Sequence, residues 1–201
     1  MGLRVLQVAG PWARLHRAES DILAGLLSAA ERAAVNRRLG LPAGTAPPWV
    51  PADAGDAGGR FAEPHGPGAL YLGRDLATCL AEVTHHHTLR CLASVGTPPG
   101  ARAVFRHLVF QVDGAMADAA AERRAGLHDP AGYGPSWGYG PSWGYGRLVR
   151  TAGLDGVHYR SVRLRGGRCL AVFHDDAARF SHVAFGAVVL EWDGAASGRI
   201  A

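Results

Sequence analysis

The spacing of apolar and polar positions changes several times along the chain, and each spacing predicts a type of element. The short apolar run at residues 3–8 predicts a strand, with a turn at Pro11 after it. Apolar residues recur three and four positions apart within residues 20–39, which predicts an amphipathic helix with Ser20 at its N-cap. Residues 41–59 are rich in Pro, Gly, Ala and Asp and predict an irregular loop.

The middle of the chain predicts a strand, a helix and a second strand. Residues 69–72 form a short apolar run, and Asp75 is well placed to cap a helix that continues to about Leu92. Residues 103–112 predict a strand that ends at the turn residues 113–114. One side of the helix carries apolar residues and a histidine at helical spacing: Leu76, Leu80, Val83 and His87.

A perfect tandem repeat, PSWGYG-PSWGYG, occupies residues 135–146. Two copies of six residues are too few and too short for a repeat architecture, and their Gly and Pro content disfavours regular structure. We therefore predict a loop at the first copy and a helix over residues 147–152 after the second, ended by Gly153. Three further strands are predicted, at residues 156–162, 169–174 and 181–192.

Strands and helices alternate without a regular βαβ rhythm. This order predicts an α+β fold with a mixed or antiparallel sheet as its core and helices packed on it. The length of 201 residues fits a single domain.

Composition narrows the possible partners. All 21 basic side chains are Arg, and the formal net charge is +4. The abundance of Ala, Gly, Arg and Pro points to a GC-rich genome, while the functional alternative is an anionic partner such as a phosphate, since Arg holds phosphate in a bidentate fork. Three cysteines without a CxxC spacing predict neither a disulfide framework nor a zinc site. The N-terminal residues contain no long apolar run, so we expect a cytoplasmic protein with no membrane contact.

Four residues are candidates for chemistry. Arg60 follows two glycines in GGRF, Tyr71 ends the strand ALYL, and Glu82 lies in the apolar helix segment LAEV. Ser161 follows the strand-like segment GVHYR. A carboxylate in an apolar context is either a solvated helix residue or a buried functional group, and the glycines allow a close approach of the backbone to a ligand.

These segments resemble the RES-domain family, which is named after its Arg, Glu and Ser. The resemblance is carried by GGRF, ALYL and LAEV, then by AGLDGVHYRSVR and GGRCLAVF, and by the final VVLEWDG. It covers about residues 58–194, with 93–132 only loosely similar. Residues 58–201 are thus expected to form the RES domain, and residues 1–57 an N-terminal strand, helix and loop extension of the same domain.

The resemblance implies a fold like that of ADP-ribosyltransferases and a toxin that consumes NAD⁺. Such toxins cleave the nicotinamide–ribose bond, either by hydrolysis or phosphorolysis or by transfer of ADP-ribose to a cellular protein, such as a nucleotide-synthesis enzyme. The implied protein partner is a cognate Xre-type antitoxin. NAD⁺ is then the substrate, and no cofactor, metal or directly bound nucleic acid is expected.

The candidate residues fit this reaction. Arg60 is expected to hold a phosphate or the nicotinamide-side ribose, and Tyr71 to stack on the nicotinamide. Glu82 stabilises the positive charge that develops on the ribose, and Ser161 either binds the ribose or orients Glu82. Arg163 is either a second phosphate contact or a surface residue. Tyr159, on the same strand face as Ser161, either packs in the core or lines the cleft.

Other signals compete with this interpretation. His85, His86 and His87 are consecutive, and side chains about 100° apart on a helix cannot converge on one metal ion. His86 falls where the family often has a supporting His. The repeat lacks the spacing of a phosphate-binding loop and is either an inert bulge or an aromatic loop at the cleft. With Arg147 and Arg150 beside it, the repeat also supports an alternative, a non-enzymatic module that binds nucleic acid.

Overall fold

The structure is a computed structural model. It describes residues 2–17, 58–122, 127 and 140–200, without the side chain of Phe185. The predicted helix at residues 20–39, the loop at 41–59 except for its last two residues, and the first repeat copy except for Gly140 lie outside the described residues. No helix in the described part of the chain combines the length and the apolar character needed to cross a membrane.

The described elements are seven strands, two α-helices and two short 3₁₀ turns. The 3₁₀ turns are Ala119–Ala121 and Asp175–Ala177. In chain order the other elements are β1 (Val5–Arg17), β2 (Leu70–Gly73), α1 (Leu76–Ala93), β3 (Arg102–Asp118), α2 (Gly140–Thr151), β4 (Gly156–Arg160), β5 (Arg168–Val172), β6 (Ala178–Trp192) and β7 (Ser197–Arg199).

The strands form one sheet in the order β1-β2-β5-β4-β3-β6-β7, and β1 pairs with β3 as well. This second pairing closes five of the strands into a ring, from which β6 and β7 extend along β3. Among the described pairings only β3 with β4 is parallel. The predicted α+β class with a mixed, mainly antiparallel sheet is confirmed.

The predicted turn at Pro11 is wrong, because β1 continues through it to Arg17. Thirteen residues of β1 pair in register with β3, which extends past its predicted end to Asp118. Proline is tolerated where its missing N–H faces an unpaired strand edge. The second edge of β1 is paired only at Ala13, opposite Gly73.

Helix α1 begins as predicted. The Asp75 carboxylate accepts a hydrogen bond from Thr78 N at 2.7 Å, and Ser94 is the C-cap that follows the last helical residue, Ala93. Leu76, Leu80 and Val83 pack against a core cluster formed by β1, β3 and β6. The apolar face therefore holds α1 against the sheet.

The second repeat copy is helical, which corrects the prediction that the helix starts near Arg147. Pro141 lies in the first turn of α2, where proline is tolerated because its missing N–H would have no helical partner. Gly146 is required by packing, since a methyl group at that position would overlap Phe61 O. Gly153 ends the helix with φ +69°, as predicted.

Candidate active site

The described residues line an open cavity of about 550 Å³. Four of the five predicted site residues line it, namely Arg60, Tyr71, Glu82 and Arg163. Ser161 is buried directly behind Glu82. Residues from positions more than 100 apart along the chain are thus brought to one place.

Arg60 lies in a tight turn. Gly59 N donates to Ala62 O at 2.7 Å, and Ala62 N donates back to Gly59 O at 3.3 Å. The Arg60 guanidinium donates to Leu127 O at 2.5 Å and to Arg160 O at 3.4 Å. Its central carbon lies 4.5 Å from the centre of the Tyr159 ring. These contacts fix the guanidinium in the wall of the cavity.

Tyr71 supports the same turn from β2. Its hydroxyl accepts a hydrogen bond from Phe61 N at 3.0 Å. A methyl group on Gly59 would overlap this hydroxyl, so the glycine is needed for close contact with Tyr71 within the protein. From the sequence, the glycines were expected to allow a ligand, rather than a side chain of the protein, to approach the backbone closely.

Glu82 and Ser161 form a hydrogen-bonded pair. Ser161 Oγ donates to Glu82 Oε1 at 2.6 Å and accepts from Arg163 N at 3.1 Å and Leu164 N at 3.0 Å. A hydroxyl has one hydrogen and two lone pairs, and these three bonds use all of them. Of the two predicted roles for Ser161, this geometry fits the orientation of Glu82.

Tyr159 belongs to both of its predicted environments. It is buried within a core cluster and also lines the cavity. Burial raises the pKa of its phenol well above the usual value, so the ring is a neutral platform for Arg60.

Two charged cavity residues were not predicted from the sequence, namely Arg14 on β1 and Arg90 on α1. His86 on α1, for which the resemblance implied a supporting role, also lines the cavity. Glu82, His86 and Arg90 follow one another at intervals of four residues, and this helical spacing was a signal that could have found Arg90. Arg14 gave no such signal, because only the pairing of β1 brings it to the site. Burial lowers its pKa.

The three histidines of α1 point in different directions. His86 lines the cavity, partly open to solvent, and desolvation by the surrounding protein atoms lowers its pKa. His87 is buried on the opposite side, with Nδ1 2.7 Å from Ser197 Oγ. The ring of His85 contacts that of His86, with centroids 5.5 Å apart.

The cavity is electropositive. Its described lining contains four guanidinium groups, on Arg14, Arg60, Arg90 and Arg163, and a single carboxylate, on Glu82. Arg14, Arg90 and Arg163 form no ion pair with any described residue. Uncompensated positive charge in a concave site attracts anions.

Two buried cysteines also line the cavity. Burial raises the pKa of Cys79 to about 11 and raises that of Cys169 further. Both are therefore neutral thiols at physiological pH, and neither is an activated nucleophile. Within the described lining, Glu82 is the group suited to stabilising a developing positive charge.

The sequence model of the RES domain matches residues 32–193 of this chain. The chain belongs to the RES-domain family. The match includes all five predicted site residues and also covers α1 and the ring of strands except β1. The resemblance noted from GGRF, LAEV and HYRSVR is thereby confirmed.

Among solved structures, this RES-domain chain is similar to the crystal structure of the M. tuberculosis MbcT–MbcA toxin–antitoxin complex. The identity is 18%, the alignment covers 90% of this chain and 85% of the other, and the TM-score is 0.49. None of the curated proteins matches the chain.

Proposed function

We propose that this RES-domain protein cleaves the bond between nicotinamide and ribose in NAD⁺ and acts as the toxin of a toxin–antitoxin pair. The observation that carries the proposal is the composition of the cavity. One oriented carboxylate, on Glu82, lies among four guanidinium groups and two tyrosine rings. NAD⁺ presents matching chemistry, with a diphosphate, two riboses and a cationic aromatic ring.

The guanidinium groups account for the phosphate end of the substrate. Arg14, Arg90 and Arg163 have no anionic partner among the described residues, and each can donate charge-assisted hydrogen bonds to the diphosphate. Such bonds contribute about 1.5–3 kcal/mol each. Arg60, already tied to two backbone carbonyls, is suited to hold the nicotinamide-side ribose or the adjacent phosphate in a fixed position.

Glu82 accounts for the reaction itself. As the glycosidic bond breaks, its electron pair leaves with nicotinamide, which departs as a neutral molecule, and positive charge develops on the ribose. The carboxylate of Glu82 stabilises that charge, and Ser161 keeps it aimed at the ribose. Tyr71 provides an aromatic face for the nicotinamide ring.

The acceptor decides the product. Attack on the ribose by water gives ADP-ribose, attack by inorganic phosphate gives its 1″-phosphate, and attack by a protein side chain gives an ADP-ribosylated protein. Water, or a side chain that carries a proton on its attacking atom, loses that proton to solvent or to Glu82, whereas the anionic oxygen of hydrogen phosphate or a carboxylate attacks without losing one. Incubation of labelled NAD⁺ with the protein, phosphate and cell lysate separates these outcomes by the species that carries the label.

The biological setting follows from the chemistry. Loss of NAD⁺ from the cytoplasm, or modification there of an essential protein such as a nucleotide-synthesis enzyme, stops the growth of the cell. A producing cell therefore needs a cognate antitoxin of the Xre type to cover or occupy the cavity. Co-expression of a helix-turn-helix protein encoded by the adjacent gene should restore the growth of cells that produce this protein.

The decisive experiment compares nicotinamide release by the wild-type protein and by Glu82→Gln. The variant keeps the size of the side chain and removes its charge, so we expect a loss of about 10²-fold or more. Glu191→Gln is the matched control, since Glu191 pairs with Arg102 outside the cavity lining. Release that is equal in Glu82→Gln and wild type contradicts the assigned role, and no release by the wild type contradicts the function.

The alternative of nucleic-acid binding receives no support from the second repeat copy, which is the copy that the structure describes. Trp143 donates to Gly59 O at 2.8 Å, and Arg147 pairs with Glu63. Arg150 donates to Gly68 O at 2.6 Å and lies over the Phe173 ring. Trp143, Arg147 and Arg150, the described side chains among those on which that alternative depended, are engaged within the protein.

A further inference from the structure

We infer that Trp143, in the second repeat copy, is a positioning residue for Arg60. This inference rests on the proposed function. The indole N–H of Trp143 donates to Gly59 O at 2.8 Å, and Gly59 O belongs to the peptide group that precedes Arg60. The side chain of Trp143 is not part of the cavity lining, so it acts on the reaction through the turn.

The turn is fastened on both sides of Arg60. The preceding peptide is bound by Trp143, and the following peptide donates from Phe61 N to the Tyr71 hydroxyl at 3.0 Å. Tyr71 belongs to β2 and Trp143 to α2. Two separate elements, β2 and α2, therefore position Arg60. The segments that carry the family resemblance include Tyr71 on β2 and do not include Trp143 on α2.

The rest of α2 reinforces this contact. Gly146 lets the helix backbone rest on Phe61 O, and Arg147 pairs with Glu63. One turn later, Arg150 donates to Gly68 O. Positions 143, 146, 147 and 150 lie on one face of a helix, so this face of α2 runs along the segment that carries Arg60.

A displaced turn would move a guanidinium that has fixed partners. Arg60 is bonded to Leu127 O and Arg160 O and stacks on Tyr159. These contacts require the Arg60 backbone at one position. A shift of about 1 Å in a group that holds substrate is enough to lower activity substantially.

The test is Trp143→Phe, which keeps a ring and removes the N–H donor. We expect KM for NAD⁺ to rise about 5–10-fold with kcat within about twofold, the size expected for one lost hydrogen bond. Trp192→Phe is the control, because Trp192 is a buried tryptophan on β6, which contributes no residue to the cavity lining. We expect that control to leave KM unchanged.

A double-mutant comparison separates positioning from general destabilisation. In an Arg60→Lys background the guanidinium group that Trp143 positions is already absent. Trp143→Phe should therefore change KM for NAD⁺ by less than about twofold in that background. An undiminished effect of Trp143→Phe in that background would overturn the inference, since Trp143 would then act independently of Arg60.

A second readout does not depend on turnover. Trypsin cleaves after Arg, and in the folded protein the buried Arg60 must leave its turn to be cut. We expect Trp143→Phe, and not Trp192→Phe, to speed native-state cleavage at the Arg60–Phe61 bond at least about threefold. Unchanged KM together with unchanged cleavage would overturn the inference, whereas absence of nicotinamide release by the wild type would contradict the proposed function alone.

Discussion

The hydroxyl of Ser161 has a complete set of hydrogen bonds. It accepts from the backbone N–H groups of Arg163 and Leu164 and donates its single hydrogen to Glu82. A water molecule in its place could turn and donate elsewhere, but this hydroxyl cannot. Because the backbone after β4 fixes the Ser161 hydroxyl, the hydrogen bond from that hydroxyl also fixes the orientation of the Glu82 carboxylate.

Ser161→Ala should accordingly lower kcat about tenfold and leave KM for NAD⁺ nearly unchanged, because the carboxylate keeps its charge and loses its orientation. Nicotinamide release at several NAD⁺ concentrations measures both constants. Ser197→Ala is a suitable control, since Ser197 is similarly buried but is bonded to His87. A kcat equal to that of the wild type would show that Glu82 needs no orienting partner.

At the scale of elements, α1 depends on its N-cap. A hydrogen bond from the Thr78 N–H holds the pKa of Asp75 below its usual value. Because the folded-state pKa lies below the unfolded one, this stabilisation is complete above about pH 5 and is lost as the pH falls through about 4 toward the folded-state value.

Asp75→Ala should lower the free energy of unfolding by about 1 kcal/mol at pH 7, whereas Asp75→Asn, which keeps a capping oxygen, should cost much less. Both variants should also show a flatter dependence on pH below about 5 than the wild type. Urea denaturation at pH 7 and pH 4 provides the measurement. Equal stability of all three proteins at pH 7 would show that the cap does not stabilise α1.

Helix α2 offers a paired prediction two residues apart. A methyl group on Gly144 would meet only the end of the Arg147 side chain, at 3.9 Å, whereas one on Gly146 would overlap Phe61 O. Gly144→Ala should raise the free energy of unfolding by about 0.5–1 kcal/mol, because alanine favours the helix. Gly146→Ala should lower both stability and NAD⁺ turnover. Equal effects of the two changes on unfolding would contradict the docking of α2 on the turn.

Elements that depend on local signals were predicted well from the sequence. The cap at Asp75 and the spacing of Leu76, Leu80 and Val83 are contained within α1 itself. The extents of β1 and β3 were not predictable in this way, because each is lengthened by pairing with the other, across about 100 residues of chain. The start of α2 was missed because Gly and Pro are poor helix formers on average, while here packing against Phe61 requires a glycine.

The same distinction applies to the site. Arg60, Tyr71, Glu82 and Ser161 were found because short motifs surround them, and their roles remain predictions. Arg14 was not found, because its position in the cavity follows from the register of β1 rather than from any neighbouring residue.

At the scale of the whole molecule, the cavity lining draws on four of the five strands of the ring, and the fifth, β3, pairs with β1 and β4. Its lining comes from β1, the turn at Arg60, β2, α1 and the ends of β4 and β5. Because no single segment contains the site, the site exists only when the ring has closed. We expect the NAD⁺-binding and folding transitions of this domain to coincide for that reason.

The tandem repeat gives the last prediction at this scale. Deletion of residues 135–140 leaves one PSWGYG copy directly before Arg147, and Gly134 then takes the place of Gly140 at the start of α2. The remaining copy supplies the tryptophan that binds Gly59 O and the glycine that accommodates Phe61. NAD⁺ turnover by the single-deletion variant should therefore stay within about twofold of the wild type. The loss of even one hydrogen bond would produce a change larger than twofold, and no such bond is expected to be lost. Deletion of both copies removes residues 140–146, more than half of α2, and should abolish turnover, which serves as the comparison. A tenfold loss in the single deletion, with unfolding unchanged, would show that the additional copy itself takes part in the function.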